Sequence, residues 1–448
     1  MDYSMLVTAI KIGTKSCGFA HQFKYQFEDD PKIVQSYVFM TEKAPRLDFP
    51  SAFILSKEGH AEEFGYQAIQ QFEENEDYSK DFVFFENVIE SLYISEDLDD
   101  ETLIKDSRGG KHKALDIFGK FMKKLVDFSY LKLTSRLTPE FLKRSDIKWV
   151  LMIPSVRTES GVVAFFEKAW HEVFWNDTST RQNLSIVAFP DAALTYYSYL
   201  TPNLCNGISI NKILPGERVM IIGFEDEIDS LNIYEKIEDC NFKQVVHFLS
   251  GASSKCLILK AFDSFFENLI GSWIWTVAKR NLWQDIVSKV DSLLKSKMDT
   301  KHMETFVLSY HKLEKICDQH TNTTLKQIIE TSEYSSKIKY MFELSQMRVQ
   351  SSLLKSIFEK CLSNIVRNIK HVLAKSDDKE VNTLILAGNI AGSGLLIQTV
   401  QTAFPSKQIA VSDTHAAMEA ALRGAVLYGH TPIVVSSIFS GAQVMVAQ

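Results

Sequence analysis

Residues 5–23 read MLVTAIKIGTKSCGFAHQF, and residues 218–234 read RVMIIGFEDEIDSLNIY. Each stretch has two strand-like apolar runs on either side of a short turn, which is the pattern of a β-hairpin. Further buried-strand and helix patterns follow each hairpin, so the chain contains a rough internal doubling. Strands that alternate with helices in this way predict an α/β fold, with mixed or parallel sheets that helices cover.

The pattern around these hairpins predicts the remaining elements. Residues 5–40 predict a three-strand meander, and apolar runs predict buried strands at 147–153, 184–189 and 383–387. Residues from about 250 to 340 predict largely helical structure. A long amphipathic helix follows, whose core side carries Leu354, Phe358, Leu362, Ile365 and Ile369.

Length and composition bound the class of protein. The 448 residues allow two or three folded units, and 45% hydrophobic with 23% charged residues is typical of a soluble globular chain. A net charge of −7 lacks the basic clusters that nucleic-acid binding needs. No apolar run reaches the roughly 20 residues of a membrane span. The N-terminal sequence lacks the pattern of a signal peptide, so we expect a cytoplasmic protein that contacts neither nucleic acid nor membrane.

Cysteines and histidines carry no metal-binding pattern. The six cysteines are scattered, without a CxxC pair or a nearby histidine pair. This spacing predicts neither a zinc site nor a disulfide framework, and we expect reduced thiols. His112, His171 and His415 also stand apart in the sequence, so no metal-binding residue is assigned.

Two glycine-containing segments could present main-chain N–H groups to an anion. Gly13, Thr14 and Lys15 form the turn of the first hairpin, and such a turn can bind phosphate, although an ordinary hairpin turn has the same pattern. Residues 386–394, LAGNIAGSG, join a buried strand to a helix whose N-terminus could take an anion or a ribose. The alternative is a plain strand-to-helix loop in which Ser393 caps the helix.

Seven segments, taken in order, carry a resemblance to a known family: VTAIKIGTKSCGFA, DFPSAFILSKEGHAEEFGYQA, IKWVLMIPSV, AFPDAALTYY, LPGERVMIIGFEDEIDSLNIY, NTLILAGNIAGSGLLIQTVQTAF and ALRGAVLYG. Together they resemble the nucleotide-binding region of the seventy-kilodalton heat-shock protein superfamily. The nearest branch is its divergent twelve-type members, which have no separate peptide-binding domain. The resemblance covers nearly the whole chain. It implies an actin-like ATPase fold, in which two ribonuclease-H-like lobes surround a central cleft that binds ATP.

The resemblance also implies domain boundaries and ligand-binding positions. Lobe I takes residues 1–200 with a small subdomain at about 41–111, and lobe II takes 201–411 with a small subdomain at about 251–340. Residues 412–448 return to lobe I. By the same resemblance, ATP or ADP is expected to contact Gly13, Thr14, Lys15, Asp229, Gly388, Asn389 and Ser393.

Departures from the family's pattern affect the groups that hold magnesium and the phosphates. The family has an acidic residue before the Gly-Thr pair, and here Lys11 stands at that position, where it cannot act as an oxygen ligand of a hard cation. The second phosphate loop of the family carries a glycine triplet, which Phe224, Glu225 and Asp226 replace. Only Asp229 remains from that loop. We therefore do not expect magnesium to be held.

Other departures affect residues of catalysis. Residues 85–89, FENVI, offer no counterpart of the family's catalytic lysine, and Phe189-Pro190 replaces its Glu-Pro pair. The second glycine of the adenosine-side loop is Asn389. Because phosphoryl transfer depends on metal ions and positioned charge, we assign no catalytic residue and expect negligible ATP turnover.

Three interpretations of function follow. The favoured one is a degenerate heat-shock-type pseudo-ATPase that acts as a binding or chaperone-like scaffold for an unknown protein client or partner. The second is a weak but genuine ATPase or chaperone in which Lys11 or Lys15 neutralises phosphate charge. The third is a protein-interaction module without a ligand. We would seek a partner surface in the region of Trp273 and Trp275, although both tryptophans are expected in the core.

Overall fold

A computed structural model describes residues 4–41, 45–74, 82–90, 98–135, 141–155, 159–205, 207–208, 210–238, 241–295, 306–321, 323–341, 346–376, 380–432, 435–437 and 444–446. Strands and helices alternate along these residues, which confirms the predicted mixed α/β fold. The strands are β1 (Leu6–Ile12), β2 (Ser16–Phe23), β3 (Gln35–Ser36), β4 (Phe39–Met40), β5 (Pro45–Arg46), β6 (Phe49–Pro50), β7 (Phe53–Ser56), β8 (Ala61–Phe64), β9 (Phe82–Phe85), β10 (Leu103–Lys105), β11 (Lys111–Lys113), β12 (Ile147–Ile153), β13 (Leu184–Ala188), β14 (Arg218–Phe224), β15 (Asp229–Glu238), β16 (Asn241–Leu249), β17 (Phe306–Ser309), β18 (Ile338–Met341), β19 (Gln346–Val349), β20 (Val381–Gly388), β21 (Gln408–Ala410), β22 (Val435–Ser437) and β23 (Val444–Val446). The helices are α1 (Lys24–Asp29), α2 (Gly65–Glu74), α3 (Ala114–Thr134), α4 (Glu159–Val173), α5 (Thr178–Gln182), α6 (Phe189–Tyr199), α7 (Ser254–Ile270), α8 (Ser272–Lys295), α9 (Tyr310–His320), α10 (Leu325–Thr331), α11 (Ser351–Ala374), α12 (Gly394–Ala403) and α13 (Thr414–His430).

The first main sheet, sheet I, has the strand order β13-β12-β1-β2-β3, and β6 also pairs with β2. Strand β1 runs parallel to β12 and antiparallel to β2, and β12 runs parallel to β13. Strand β12 is buried at all but one position. Helices α3 and α4 pack on one face of this sheet and α13 on the other, which leaves β12 no polar face.

The second main sheet, sheet II, has the order β21-β20-β14-β15-β16-β22, and β23 also pairs with β16. Strand β14 runs antiparallel to β15 and parallel to β20, which is itself parallel to β21. The two sheets share one plan, in which the first strand of a hairpin also pairs in parallel with strands from later in the chain. This topology confirms the internal doubling predicted from residues 5–23 and 218–234.

Apolar side chains fill separate clusters that hold these sheets and helices together. One cluster lies between sheet II and helices α7 and α11, and another between sheet I and helices α3 and α4. A further cluster contains residues of both sheets, such as Val150 and Ile221, together with helices α6 and α13. Because this cluster includes residues of β1 and β14, the two sheets share one apolar core.

Most of the predicted strands and helices are present, but the meander at the N-terminus differs from the prediction. Residues 24–29 form α1 rather than a strand, and only Gln35–Ser36 pair with β2 as its third strand. The Gln26 side chain accepts a hydrogen bond from the Phe23 N–H at 3.0 Å. This local bond favours a helical turn where residue alternation predicts a strand.

The region predicted to be largely helical also contains a sheet. Strands β17, β19 and β18 form it, and each has four residues, too few for alternation to distinguish a strand from a helical turn. Trp275 is buried, as predicted, whereas the prediction for Trp273 is wrong because that side chain is 63% exposed. Residues two apart on a helix point to different sides.

The described cysteines are not paired in disulfides. Free thiols are present at Cys17, Cys205, Cys256, Cys317 and Cys361, as predicted, and Cys240 lies outside the described residues. Over the described part of the chain, each helix is too short or too polar to pass through a membrane.

Candidate functional site

Three connecting segments meet at the ends of central strands in the two sheets. The first turn, residues 13–16, joins β1 to β2, and the second turn, residues 225–228, joins β14 to β15. The glycine loop, residues 388–394, begins at the end of β20. Phe224 lies opposite Gly388 in the parallel pair of β14 and β20, so the second turn and the glycine loop leave sheet II side by side.

Asp226 of the second turn joins these segments through its carboxylate. Oxygen Oδ2 accepts hydrogen bonds from the Ser16 N–H at 3.2 Å, the Ser16 hydroxyl at 3.0 Å and the Lys15 N–H at 3.4 Å. Oxygen Oδ1 accepts a hydrogen bond from Nδ2 of Asn389 at 2.9 Å. One carboxylate therefore contacts both the first turn and the glycine loop. Consecutive main-chain N–H groups that converge on one anionic oxygen form an anion-binding nest.

Other hydrogen bonds hold the first turn in the conformation that directs its N–H groups to Asp226. The Gly13 N–H donates to the Ser16 carbonyl at 3.0 Å. The Ser51 hydroxyl donates to the Thr14 carbonyl at 2.8 Å. A Cβ atom at Gly13 would lie 2.4 Å from the Ser16 carbonyl oxygen and 3.1 Å from Oδ2 of Asp226, so only glycine permits this close approach.

Two lysines of the first hairpin lie beside the acidic second turn. Lys11 donates from Nζ to the serine hydroxyl of the first turn at 3.0 Å, and Lys15 forms an ion pair with Glu227. Burial raises the pKa of Asp226, but the charges of Lys11 and Lys255 and the hydrogen bonds to the carboxylate outweigh burial and lower the pKa below its ordinary value. Asp226 is thus an ionised ligand between cationic side chains.

Two further carboxyl groups of this region are buried. Glu225 is 8% exposed and accepts hydrogen bonds from the Ser155 N–H at 3.0 Å and the Ser230 hydroxyl at 3.2 Å. Asp229 is 4% exposed and accepts hydrogen bonds from the N–H of Ser254 at 2.9 Å and from its hydroxyl. Burial raises the pKa of Glu225 to about 7 and that of Asp229 to about 7. Ser254 is the first residue of α7, so its hydrogen bonds connect Asp229 to the start of that helix.

The backbone conformation of the glycine loop requires glycine at its first residue, Gly388. Gly388 has a φ of +105°, and a Cβ atom there would lie 2.3 Å from the Phe224 carbonyl oxygen. Glycine alone meets both conditions without strain. The Asn389 N–H donates to the same Phe224 carbonyl at 2.8 Å. Ser393 is buried at the N-cap position of α12, as the alternative of a plain strand-to-helix loop predicts, but its side chain makes no capping hydrogen bond.

The structure places the predicted ligand-binding residues in two groups. One group lies in the segments that Asp226 contacts and consists of Gly13, Thr14, Lys15, Gly388 and Asn389. The other two are Asp229, which begins β15 and binds Ser254 at the start of α7, and Ser393, which lies at the far end of the glycine loop at the N-cap of α12. From the sequence, Asp226 is a replacement within the family's glycine triplet, and its role as a ligand of the first turn was missed. The sequence signal that could have indicated this contact is charge. The second turn has three consecutive acidic residues, and the first hairpin has two lysines beside its turn.

The residues present do not fit magnesium or a polyphosphate. Magnesium requires oxygen ligands, and the side chain that approaches the first turn from β1 is the Lys11 ammonium group. Within the described ranges, no three His, Cys, Asp or Glu side chains are grouped to hold a metal ion. Two carboxyl oxygens of this region, Oδ1 of Asp229 and Oε1 of Glu227, are buried without a hydrogen-bond partner. The Glu227 carboxylate is already paired with Lys15, so the two oxygens do not form a set of magnesium ligands. The N–H groups that a phosphate would need are bound to Asp226.

Comparison with known proteins gives distant relatives that span nearly the whole chain. The chain is 19% identical to heat shock 70 kDa protein 12A of Mus musculus over 489 residues, which cover 96% of this chain and 70% of the mouse protein. It is 19% identical to heat shock 70 kDa protein 12A and 20% identical to heat shock 70 kDa protein 12B of Homo sapiens, over 490 residues each. These alignments cover 96% of this chain and 70% and 69% of the two human proteins. No protein-family model matches the chain.

Proposed function

The chain is a distant homologue of heat shock 70 kDa proteins 12A and 12B, as its seven resembling segments predicted, and on this basis we propose that it is a heat-shock-type pseudo-ATPase. It has the nucleotide-binding-domain fold, does not turn over ATP, and acts in the cytoplasm as a scaffold for a protein partner. The shared plan of sheets I and II supports an actin-like arrangement of two lobes around a central cleft.

One observation carries the proposal: the carboxylate of Asp226 takes the hydrogen bonds of the first turn. Phosphoryl transfer needs a metal ion and donors that stabilise the charge of the transferring phosphate. Here an internal carboxylate binds those donors, and Lys11 stands where a carboxylate of the metal site is expected from the homology. Both changes remove charge stabilisation, so hydrolysis is not supported.

ATP or ADP is the ligand that the homology implies. The residues expected around its adenosine retain the features needed for binding, whereas those expected around its phosphates do not. Gly388, Asn389 and Ser393 line the loop expected on the adenosine side, where close main-chain approach is retained. On the phosphate side, Lys15 is paired with Glu227 rather than free to neutralise phosphate. This pairing weakens the alternative of a slow ATPase that uses lysine in place of metal.

We propose a protein as the partner of the scaffold. Trp273 on α8 is exposed, and its ring lies 4.9 Å from that of His320 on α9, which is also exposed. Exposed aromatic side chains are enriched in protein interfaces. The net charge of −7 does not favour nucleic acid as a partner.

The test combines phosphate release with thermal unfolding, using the purified protein in millimolar ATP or ADP with magnesium. We expect no phosphate release above the rate without protein. A rise in melting temperature without release indicates a scaffold that binds nucleotide, because a ligand of the native state raises stability. An unchanged melting temperature indicates the module without a ligand. Phosphate release that Lys11→Met or Lys15→Met abolishes would overturn the pseudo-ATPase proposal, and Lys260→Met, at an exposed lysine, is the matched control.

A further inference from the structure

We propose that the first turn is a preserved binding site for a small oxyanion and that Asp226 is the internal ligand that occupies it. The site takes a carboxylate or a phosphate group, and in the native chain the Asp226 carboxylate fills it. This inference deepens the proposed function, on which it rests for the origin of the turn, and its hydrogen bonds can be tested without nucleotide.

The donor set of the first turn is that of an anion site. Two consecutive N–H groups, from Lys15 and Ser16, and the Ser16 hydroxyl all point to one oxygen of Asp226, at 3.0 to 3.4 Å. The turn holds this shape through its own hydrogen bonds and through Ser51, none of which involves Asp226. Removal of the Asp226 carboxylate therefore leaves the donors in place and without an acceptor.

Charge around the turn also favours an anion. The positive charges of Lys11 and Lys255 act on the Asp226 carboxylate, and Lys11 lies within hydrogen-bond distance of the same serine hydroxyl that Asp226 binds. Lys255 is also paired with Asp291 at 2.9 Å, so removal of the aspartate mainly leaves the Lys11 ammonium group and the donors of the turn without an anion. A mobile oxyanion would restore the balance of charge that the carboxylate now provides.

The covalent connection explains why a free anion does not displace Asp226 from the native protein. Asp226 and Ser16 are 210 residues apart in sequence, but their strands belong to sheets that share an apolar cluster. The carboxylate is thus presented to the turn at a high effective concentration, on the order of millimolar or more. A free anion has to compete with this internal ligand and binds only after the aspartate is removed.

The experiment removes the aspartate and measures thermal unfolding in phosphate, in acetate and in chloride of equal ionic strength. Asp226→Ala is expected to melt about 2 °C below the native protein, because the half-buried donors of Ser16 and Asn389 lose their acceptor. Phosphate and acetate are expected to restore at least half of this loss, with a concentration dependence that saturates. Native protein is expected to show no saturating response. If Asp226→Ala does not fold, Asp226→Ser takes its place in the same titrations.

Two variants separate a filled site from general stabilisation by salts. Asp226→Asn keeps the volume of the side chain in the turn, so it is expected to gain nothing from either anion. Asp263→Ala removes a carboxylate that binds Trp275 and Lys279 but no turn N–H groups, and it controls for the excluded-solute effect of phosphate.

The outcomes are decisive in both directions. Rescue of Asp226→Ala by acetate and phosphate indicates a site for oxyanions in general, and rescue by phosphate alone narrows the site to phosphate. Equal responses of Asp226→Ala and Asp263→Ala to both anions would overturn the inference. The titrations contain no nucleotide or magnesium, so ATP hydrolysis by the native protein would overturn the proposed function and leave the anion result standing.

Discussion

Tyr197 donates its hydroxyl hydrogen to the main-chain carbonyl oxygen of Leu386 at 2.6 Å. The same hydroxyl accepts a hydrogen bond from the Ser412 N–H at 3.2 Å. Tyr197 lies on α6, which follows the last strand of sheet I, and Leu386 lies on β20 of sheet II. A fully buried hydroxyl group therefore connects helix α6 to a central strand of the other sheet.

Tyr197→Phe is predicted to lower the free energy of unfolding by about 1 to 3 kcal/mol, because it leaves a buried N–H without an acceptor and removes a donor from Leu386. Urea denaturation measures the change. Tyr25→Phe is the matched control, since Tyr25 is 66% exposed and its variant is expected to differ little from the native protein. Equal losses in both variants would contradict the role assigned to the buried hydroxyl.

The buried carboxyl of Glu225 predicts a pH dependence of stability. Its pKa of about 7 in the folded protein lies above its ordinary value of 4.5, so the folded state holds the proton more tightly than the unfolded state. The free energy of unfolding therefore falls as pH rises from 4.5 to 7. Asp229, with a pKa of about 7, and Asp191, with a pKa of about 6, act in the same direction.

Glu225→Gln is predicted to flatten this dependence, because its amide oxygen can still accept from the Ser155 N–H while its NH2 group donates to the Ser230 hydroxyl. Relative to the native protein, the variant gains up to about 3 kcal/mol between pH 4.5 and pH 8. Denaturation curves across this range measure the gain. Glu330→Gln, on the exposed surface of α10, is the control and is expected to run parallel to the native protein. A Glu225→Gln curve parallel to the native one would show that Glu225 does not titrate as described.

Gly388→Ala is predicted to destabilise the protein by more than about 2 kcal/mol, because it adds a Cβ atom 2.3 Å from a carbonyl oxygen to a backbone with positive φ. Gly216→Ala provides the comparison, since Gly216 also has positive φ but no atom within 4 Å of the added Cβ. Its loss reports the backbone conformation alone, about 1 kcal/mol. Thermal unfolding of both variants gives the difference, and similar losses would contradict a close contact at Gly388.

The two tryptophans of α8 are predicted to differ in their effect on stability. Trp275→Ala removes a buried side chain whose indole N–H donates to Asp263 at 2.6 Å, and a loss of about 3 to 5 kcal/mol is expected. Trp273→Ala is expected to change stability by less than about 0.5 kcal/mol. Chemical denaturation measures both. A large loss from Trp273→Ala would show that its exposed ring also supports the fold.

The strands at the centre of both sheets could be predicted from sequence because they are continuous apolar runs. Residues 147–153 and 218–224 are strands with the predicted bounds, and each is buried along nearly its whole length. Residues 24–29 could not be predicted in this way, because a hydrogen bond from the Phe23 N–H to the Gln26 side chain favours a helical turn there. Strands β17 to β19 are too short to carry a pattern, and β17 pairs with β19 from a segment well before it in the sequence.

The candidate site shows the same limit. Gly13 and Gly388 could be found from sequence, because tight turns and strand-to-helix loops favour glycine. The contact between Asp226 and Ser16 could not, since it joins residues 210 positions apart. The sequence shows that the second turn is acidic, but it does not show where the side chains of that turn point. The direction of the Asp226 carboxylate decides whether it repels an anion at the first turn or takes the place of that anion.

Strand β16 receives its outer neighbours, β22 and β23, from residues 435–437 and 444–446. During synthesis on the ribosome, β15 and β16 are made long before these residues, so β16 first exists as an open edge that can pair with another chain. The nascent protein therefore carries a temporary aggregation-prone edge that its own last strands close.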